Sequence, residues 1–183
     1  MGKQLNKYRI KKRLERGFTI ASGIPALAAV ATLITMIIVS NIYASALRDY
    51  GFAQGDVGKT MTFFAESRSA LRGCISYDDL DAMESLKTVH DENVAKFKES
   101  FASLEKAMVT EENQAIYKEI SDKLTGYWAL DNEILTLGMT LDAELSAEAQ
   151  HIAMNELMPV YDDIYALLTE IMDVKVDRGN ETS

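Results

Sequence analysis

A long apolar stretch near the N-terminus limits what this chain can fold into more than any other feature. No charged side chain occurs between Arg16 and Arg48. The hydrocarbon core of a bilayer takes about 20 consecutive apolar residues in helical form, and each backbone polar group inside it must be paired within the segment. Residues 18–43 therefore predict a transmembrane helix, with Pro25 in its first two turns.

Two other interpretations of this stretch compete with a retained anchor. A cleaved signal peptide would explain the basic residues before it and the small residues 44–46 after it. The apolar core of a signal peptide is normally only about 7–15 residues long, however. A buried core helix would need other apolar segments around it, and the rest of the sequence does not provide them. Length therefore favours a retained membrane anchor.

Charge is distributed unevenly on the two sides of the anchor. Residues 1–17 are strongly basic, whereas the whole chain has a formal net charge of −9. Lys and Arg beside a first transmembrane helix stay on the cytoplasmic side. We therefore expect a cytoplasmic tail at residues 1–17 and an extracytoplasmic domain at residues 44–183, held in the inner (cytoplasmic) membrane. An acidic exterior and a short membrane-bound tail argue against nucleic acid as a partner.

The residues that usually build metal and catalytic sites are scarce. Cys74 is the single cysteine, and there are two histidines, so the sequence predicts no disulfide framework, metal site or cofactor. Glu148 and His151 form an E-x-x-H pair of the kind found in di-iron bundles. Such sites need a second pair, and His90 has Lys87 where its Glu would stand. No arrangement for nucleophilic catalysis or for cradling phosphate is recognisable, so we do not expect an enzyme.

After the anchor, apolar residues recur at steps of three and four, which is typical of amphipathic helices. The four stripes run from Tyr43 to Ile75, Leu80 to Met108, Ile116 to Leu141 and Met154 to Lys175. Predicted helix N-caps are Ser76, Thr110 and Ser146, and residues 178–180 are the predicted end of the last helix. No stripe can be buried alone, and short connections make neighbouring helices antiparallel. The predicted fold is all-α: a transmembrane helix that continues into an up-down-up-down four-helix bundle with helices of about 30 residues.

Glycine and proline mark two places where these helices are expected to be irregular. Gly51, Gly55 and Gly58 lie close together at the start of the first bundle helix. They indicate either a locally weakened segment or a close approach of another helix. Pro159 removes one backbone donor and predicts a kink in the last helix.

Three stretches of the sequence resemble one family of membrane receptors. They are KKRLERGF before the anchor, SALRDYGFAQGDVGKTMTFFAESRSALRGCISYDD after it, and NELMPVYDDIYALLTEIMDVKVDRGN near the end. Together they are similar to the N-terminal region of methyl-accepting chemotaxis proteins with a four-helix-bundle ligand-binding domain. The resemblance implies a bundle that forms a homodimer outside the membrane and binds a small molecule or a periplasmic binding protein. It also implies a second membrane helix, a HAMP linker and a kinase-controlling coiled coil, so we expect this chain to be a fragment of a receptor.

Arg68 and Arg72 are the leading candidates for ligand binding. They lie one turn apart on the predicted first bundle helix, and two guanidiniums on one face suit a carboxylate. The resemblance supports this, because receptors for aspartate and serine hold ligand carboxylates with arginines on this helix, although one further arginine of that pattern is missing here. The competing interpretation is surface ion pairing with Asp78 or Asp79, which is the commoner situation.

Other polar residues are further candidates. Three of them fall at the predicted membrane-distal end as possible ligand contacts: Tyr77, His151 and Asn155. Three more lie on the core stripes, where they either fix the helix register or line a polar pocket, and register is favoured: Lys87, His90 and Asp131.

The sequence as a whole predicts the extracytoplasmic ligand-sensing region of a bacterial chemoreceptor. We expect a ligand at the membrane-distal end to displace helix four by about 1–2 Å against helix one, toward the second membrane span. The alternative, from another functional class, is a membrane-tethered helical adaptor or structural coiled coil that binds no small molecule.

Overall fold

The computed structural model of the chain describes residues 2–47 and 53–181. The chain divides into two units, Met1–Ser45 and Ala46–Ser183. No β-strand occurs among the described residues, which confirms the all-α prediction. The predicted continuation of the anchor into the first bundle helix falls on residues 48–52, which lie outside the described ranges.

The first unit consists of one long helix, α1 (Gly2–Ala46). Within it, Ser22–Ser45 is long and apolar enough to cross a membrane, with a mean hydropathy of 2.2. This candidate span overlaps the predicted anchor at residues 18–43. Hydroxyl side chains return to the backbone along the helix, since Thr32 and Thr35 donate to the carbonyl four residues earlier at 2.9 Å. No polar side-chain group of these two residues is therefore left without a partner in an apolar environment.

The second unit is a four-helix bundle. Its helices are α2 (Ala53–Cys74), α3 (Leu80–Leu104), α4 (Glu111–Gly138), α5 (Ala143–Ile152) and α6 (Met158–Glu181). A short 3₁₀ turn (Glu105–Ala107) follows α3. A π-helical segment (Ala153–Leu157) joins α5 to α6, and α5, this segment and α6 together form the fourth helix of the bundle. α2 packs along α3, α4 packs along the fourth helix, and α6 also packs along α2. The four-helix prediction is confirmed, with the first three helices somewhat shorter than expected.

One aromatic ring from each of the four helices meets in the middle of the core. These four buried residues, called the aromatic layer below, are Phe64, Phe97, Tyr127 and Tyr161. The Phe64 ring is central, with its centroid 4.9 Å from that of Phe97, 4.9 Å from Tyr127 and 4.8 Å from Tyr161. All four lie on the predicted stripes, so the three-and-four spacing places them on the buried faces.

Of the three predicted helix N-caps, one is confirmed and two are wrong. Thr110 caps α4 as predicted, accepting from the backbone N–H three residues later at 3.2 Å. The predictions of Ser76 and Ser146 are wrong, because Asp79 caps α3 and Asp142 caps α5. A carboxylate accepts from the first-turn N–H groups as a hydroxyl does, and its charge also suits the positive helix end.

The last helix continues through residues 178–180, where the sequence pattern ends, to Glu181. A glycine such as Gly179 ends a helix most effectively where it takes a left-handed conformation. Among the described residues, none has a positive φ. In an otherwise helical segment a glycine costs only about 1 kcal/mol relative to alanine, which is too little to stop the helix by itself.

Gly138, at the end of α4, packs closely against the connection between α2 and α3. A Cβ at this position would overlap Ile75 Cγ2 and would lie 3.1 Å from the Cβ of Ala149. Gly126, in the same helix, has nothing within 4 Å of its Cβ position. The two glycines therefore form a matched pair, one enclosed and one open.

We expect Gly138→Ala to lower the free energy of unfolding by about 1–3 kcal/mol, because its neighbours must move. Gly126→Ala should instead raise it by about 0.5–1 kcal/mol, since alanine restricts the unfolded chain. Urea titration of the full chain in lipid nanodiscs, followed by the fluorescence of the single tryptophan Trp128, measures both. Effects of the same sign at the two positions would contradict the close packing at Gly138.

Candidate ligand-binding site

A cleft of about 430 Å³ opens between α2 and the fourth helix. This volume falls in the range of roughly 300–1,000 Å³ that is usual for small-molecule sites. The polar residues that line it are Arg68, Arg72, Ser76 and Gln150. The apolar residues that line it are Leu71, Ile75, Ala153, Met154, Leu157 and Met158.

Arg68 is held in place by the aromatic layer. Its guanidinium carbon lies 4.2 Å from the centroid of the Tyr161 ring, across the α2–α6 contact. Burial raises the pKa of the Tyr161 hydroxyl, while the charge and hydrogen bond of Arg68 act in the opposite direction. A cation over an aromatic face is stabilised by the ring quadrupole. Arg68 therefore joins the cleft to the middle of the core.

Arg72 lies one turn further along α2 and is exposed at the cleft. Across residues 53–181, neither Arg72 nor Arg68 forms an ion pair with a carboxylate. Pairing with Asp78 or Asp79, the alternative that the sequence allowed, is thus not formed. The cleft consequently carries two guanidiniums whose positive charge has no carboxylate partner in this part of the chain.

At the end of the cleft nearest the α2–α3 connection, the carbonyl group of Ile75 joins the two sides. It accepts a hydrogen bond from Gln150 Nε2 at 3.0 Å and a longer one from Ser146 Oγ at 3.5 Å. This joins the α2–α3 connection to α5. The residues on the two sides of the cleft are thereby held at a fixed separation at this end.

The π-helical segment forms one wall of the cleft. Met158 N–H donates to the carbonyl of Ala153, five residues earlier, instead of four. Pro159 follows at once, and it has no N–H to donate to the carbonyl of Asn155. Next to this proline, where the sequence predicts a kink, the structure has a widened turn that includes Ala153 and Met154. Such π-turns are frequent at functional sites.

Comparison with protein-family models gives one match. The family is described as a four helix bundle sensory module for signal transduction, and its model matches residues 7–183. The chain belongs to this family. It is the sensory module of chemotaxis receptors, so the resemblance seen in the sequence is confirmed and the chain has a sensory role. Comparison with curated proteins and with solved structures gave no match.

Two of the five predicted site residues of this sensory module line the cleft, and three do not. Arg68 and Arg72 do so. Tyr77 is exposed in the α2–α3 connection and His151 is exposed on α5. Asn155 is exposed too, and its side-chain amide donates to the carbonyl of His151 at 2.9 Å. A contact between these three and a ligand stays a prediction.

The helical spacing of the sequence predicts Met154 in the core and does not indicate the apolar wall of the cleft. Met154 is 70% exposed, whereas Ile152 and Leu157 are buried. The buried positions therefore step by five residues here, because the π-turn inserts one residue. That five-residue step, directly before Pro159, was the available signal.

The sensory module also contains a partly buried ionic cluster between α3 and α4, in which His90 and Asp131 are buried. His90 Nε2 lies 3.1 Å from Asp131 Oδ1, and His90 Nδ1 lies 3.1 Å from Asp91 Oδ1. Asp91 also accepts a hydrogen bond from Lys87. Among the described residues no group of three or more His, Cys, Asp or Glu is placed to hold a metal ion. The cluster joins two helices through charge, which fits a role in helix register.

Proposed function

We propose that the bundle is the extracytoplasmic ligand-sensing region of a bacterial chemoreceptor and that the cleft is its ligand site. The observation that carries the proposal is the pair of guanidiniums, Arg68 and Arg72, with no carboxylate partner beside a cleft of ligand size. Arginine offers paired donors that match a carboxylate, so a carboxylate of the ligand occupies this position. The basic tail supports an orientation with the N-terminus inside and the bundle outside the inner membrane.

Ligand binding can change the packing of two helices, because α2 and the fourth helix form the two sides of the cleft. α2 supplies both arginines, and the fourth helix supplies the apolar wall and the Tyr161 ring on which Arg68 lies. A carboxylate that draws Arg68 toward itself weakens this contact between α2 and α6. The ligand thus favours one packing of the two helices over another, as differential affinity requires.

The displacement that results is small. Interface transitions in switching proteins commonly move helices by about 1–2 Å. α6 carries such a shift toward its C-terminal end, where the resemblance places the second membrane helix of a receptor. Homodimer formation, and binding of a periplasmic binding protein in place of a small molecule, are further expectations from the resemblance.

The test is a thermal-shift screen of the full chain in nanodiscs against organic acids, amino acids and amines. We expect carboxylates to raise the melting temperature, and we expect Arg68→Gln combined with Arg72→Gln to remove this effect. Hydrogen bonds to charged groups contribute about 1.5–3 kcal/mol each, so each substitution should weaken binding by about 10- to 100-fold. Lys106→Gln, which removes an exposed positive charge outside the cleft, is the matched control.

Two results would count against this site. Stabilisation by carboxylates that persists in the double variant would place the ligand elsewhere on the bundle. A complete absence of stabilising compounds would favour the alternative function, a membrane-tethered helical adaptor that recognises a protein partner.

A further inference from the structure

We infer that the cleft selects an organic monocarboxylate with an apolar body and discriminates against the α-amino acid of the same shape. The inference rests on the proposed function and deepens it by naming the ligand class. Three features of the cleft carry it: its positive charge, its lack of a carboxylate that could receive an ammonium group, and its apolar wall.

The charge of the cleft is of one sign. Arg68 and Arg72 contribute two positive charges, and none of the ten lining residues carries a carboxylate. An anion without any positive charge gains from both guanidiniums. An α-amino acid brings its ammonium group within a few bonds of its carboxylate, so the same guanidiniums repel part of it.

The uncharged polar groups of the cleft are partly engaged within the protein, and their remaining acceptor atoms, such as Gln150 Oε1, carry no negative charge. The Ser76 hydroxyl donates to the carbonyl of Arg72 at 2.6 Å, and the Ile75 carbonyl accepts from Gln150 at 3.0 Å. An ammonium group has three donors and needs acceptors or water when it enters a cleft. Without a carboxylate to receive it, its desolvation opposes binding. We therefore expect an amino acid to bind at least tenfold more weakly than the acid that lacks the amino group.

The wall opposite the arginines is apolar and adaptable. Ala153, Met154, Leu157 and Met158 come from the π-turn and the start of α6. Methionine side chains are flexible and fill irregular space, so they suit apolar bodies of varied shape. Each methylene group that is buried against this wall should raise affinity by roughly threefold to fourfold.

The experiment measures binding of matched compounds to the full chain in nanodiscs, with empty nanodiscs as the blank for partitioning into lipid. The matched pairs are hexanoate with norleucine, and 3-phenylpropanoate with phenylalanine, because each pair differs only by the amino group. Propanoate, compared with hexanoate, measures the contribution of chain length. We expect each acid to bind more tightly than its amino acid, and hexanoate to bind more tightly than propanoate.

Single substitutions separate the two halves of the cleft. Arg72→Gln should weaken propanoate and hexanoate alike, since both carry the carboxylate. Met154→Gln should weaken hexanoate and leave propanoate nearly unchanged. Val89→Gln replaces an exposed apolar residue of α3 outside the cleft, and it should change neither affinity.

The outcomes distinguish this inference from the proposed function. Amino acids that bind as tightly as their matched acids, with both depending on Arg72, would overturn the inference and leave the site in place. Equal affinity for propanoate and hexanoate would overturn the role of the apolar wall. If no acid and no amino acid binds in an arginine-dependent manner, both the ligand class and the proposed site fail.

Discussion

Replacing Phe64 by alanine should lower the free energy of unfolding of the bundle by about 3–5 kcal/mol. The Phe64 side chain is fully buried, and its ring contacts the other three rings of the aromatic layer at 4.8–4.9 Å. Alanine leaves a cavity where all four helices meet, and it also removes aromatic contacts worth about 0.5–1.5 kcal/mol per pair. Since a domain is stable by only about 5–15 kcal/mol, the loss takes a large part of the total.

The free energies of unfolding of two other variants test whether the loss in Phe64→Ala comes from removal of the buried Phe64 ring. Trp128 lies against the aromatic layer, with its ring 6.3 Å from that of Phe64, so its fluorescence reports on this part of the core. Tyr77→Ala removes an exposed ring and should change stability by less than about 0.5 kcal/mol. Tyr127→Phe keeps a core ring, and the hydroxyl that it removes has no hydrogen-bond partner in the described part of the chain, so stability should not fall. A loss below about 1 kcal/mol for Phe64→Ala would show that the layer is not a close-packed core.

The aromatic layer was predictable because burial in a helical bundle follows the period of the helix. In α4 the stripe from Ile116 to Ile134 is buried at each predicted position, including the polar Asp131. A regular helix repeats its buried face every three or four residues, so sequence spacing and burial carry the same information. Predicted and observed burial differ near the end of this stripe, where Leu141 lies beyond the last turn of α4 and is 61% exposed.

The fourth helix shows where such spacing stops being informative. A π-turn inserts one residue before Pro159, so the buried face passes from Ile152 to Leu157 in five residues. A search for steps of three and four instead selects Met154, which faces away from the core. The proline indicated an irregular turn, but not its form, because a kink and a π-turn both relieve a missing donor.

The candidate ligand site was predictable only in part, for a related reason. Arg68 and Arg72 share one helix, so their spacing alone places them together. The opposite wall comes from a segment about 80 residues later in the chain, and the hydrogen bond from Gln150 to Ile75 that closes one end joins residues 75 positions apart. No local spacing connects such residues. Tertiary packing decides which face of the fourth helix meets α2.

The bundle should become less stable as the pH rises through the folded-state pKa of His90. Both ring nitrogens of His90 lie 3.1 Å from carboxylate oxygens, of Asp131 on one side and Asp91 on the other. A neutral imidazole has one N–H and can satisfy only one of them, whereas an imidazolium donates to both. Burial by itself lowers the pKa of His90, but the hydrogen bonds and charges of Asp131 and Asp91 outweigh it, so the pKa is raised above 6.5.

The sign of the pH dependence follows from this raised pKa. The folded state holds the proton more tightly than the unfolded state, so the stabilisation is complete below about pH 6.5 and is lost as the pH rises through the folded pKa. The other groups that face the cluster do not reverse this. Lys87 pairs with Asp91, whose pKa is lowered, and the buried Cys74 thiol has a pKa raised by burial to about 11. The lowered pKa keeps Asp91 ionised, and the raised pKa keeps the Cys74 thiol neutral, across the neutral range.

Asp131→Asn should cost about 3–5 kcal/mol at pH 6, where it leaves a buried imidazolium without its main partner. The cost should shrink as the pH rises through the folded-state pKa of His90, because His90 then loses its proton in the original chain as well. Urea titrations of the original chain and of Asp131→Asn between about pH 5.5 and 9 measure the free energy of unfolding of each and its slope against pH. His90→Gln should remove the slope, whereas His151→Gln, at the other and exposed histidine of the chain, should keep it. A slope that survives His90→Gln and disappears with His151→Gln would show that the proton is bound at the surface and not between α3 and α4.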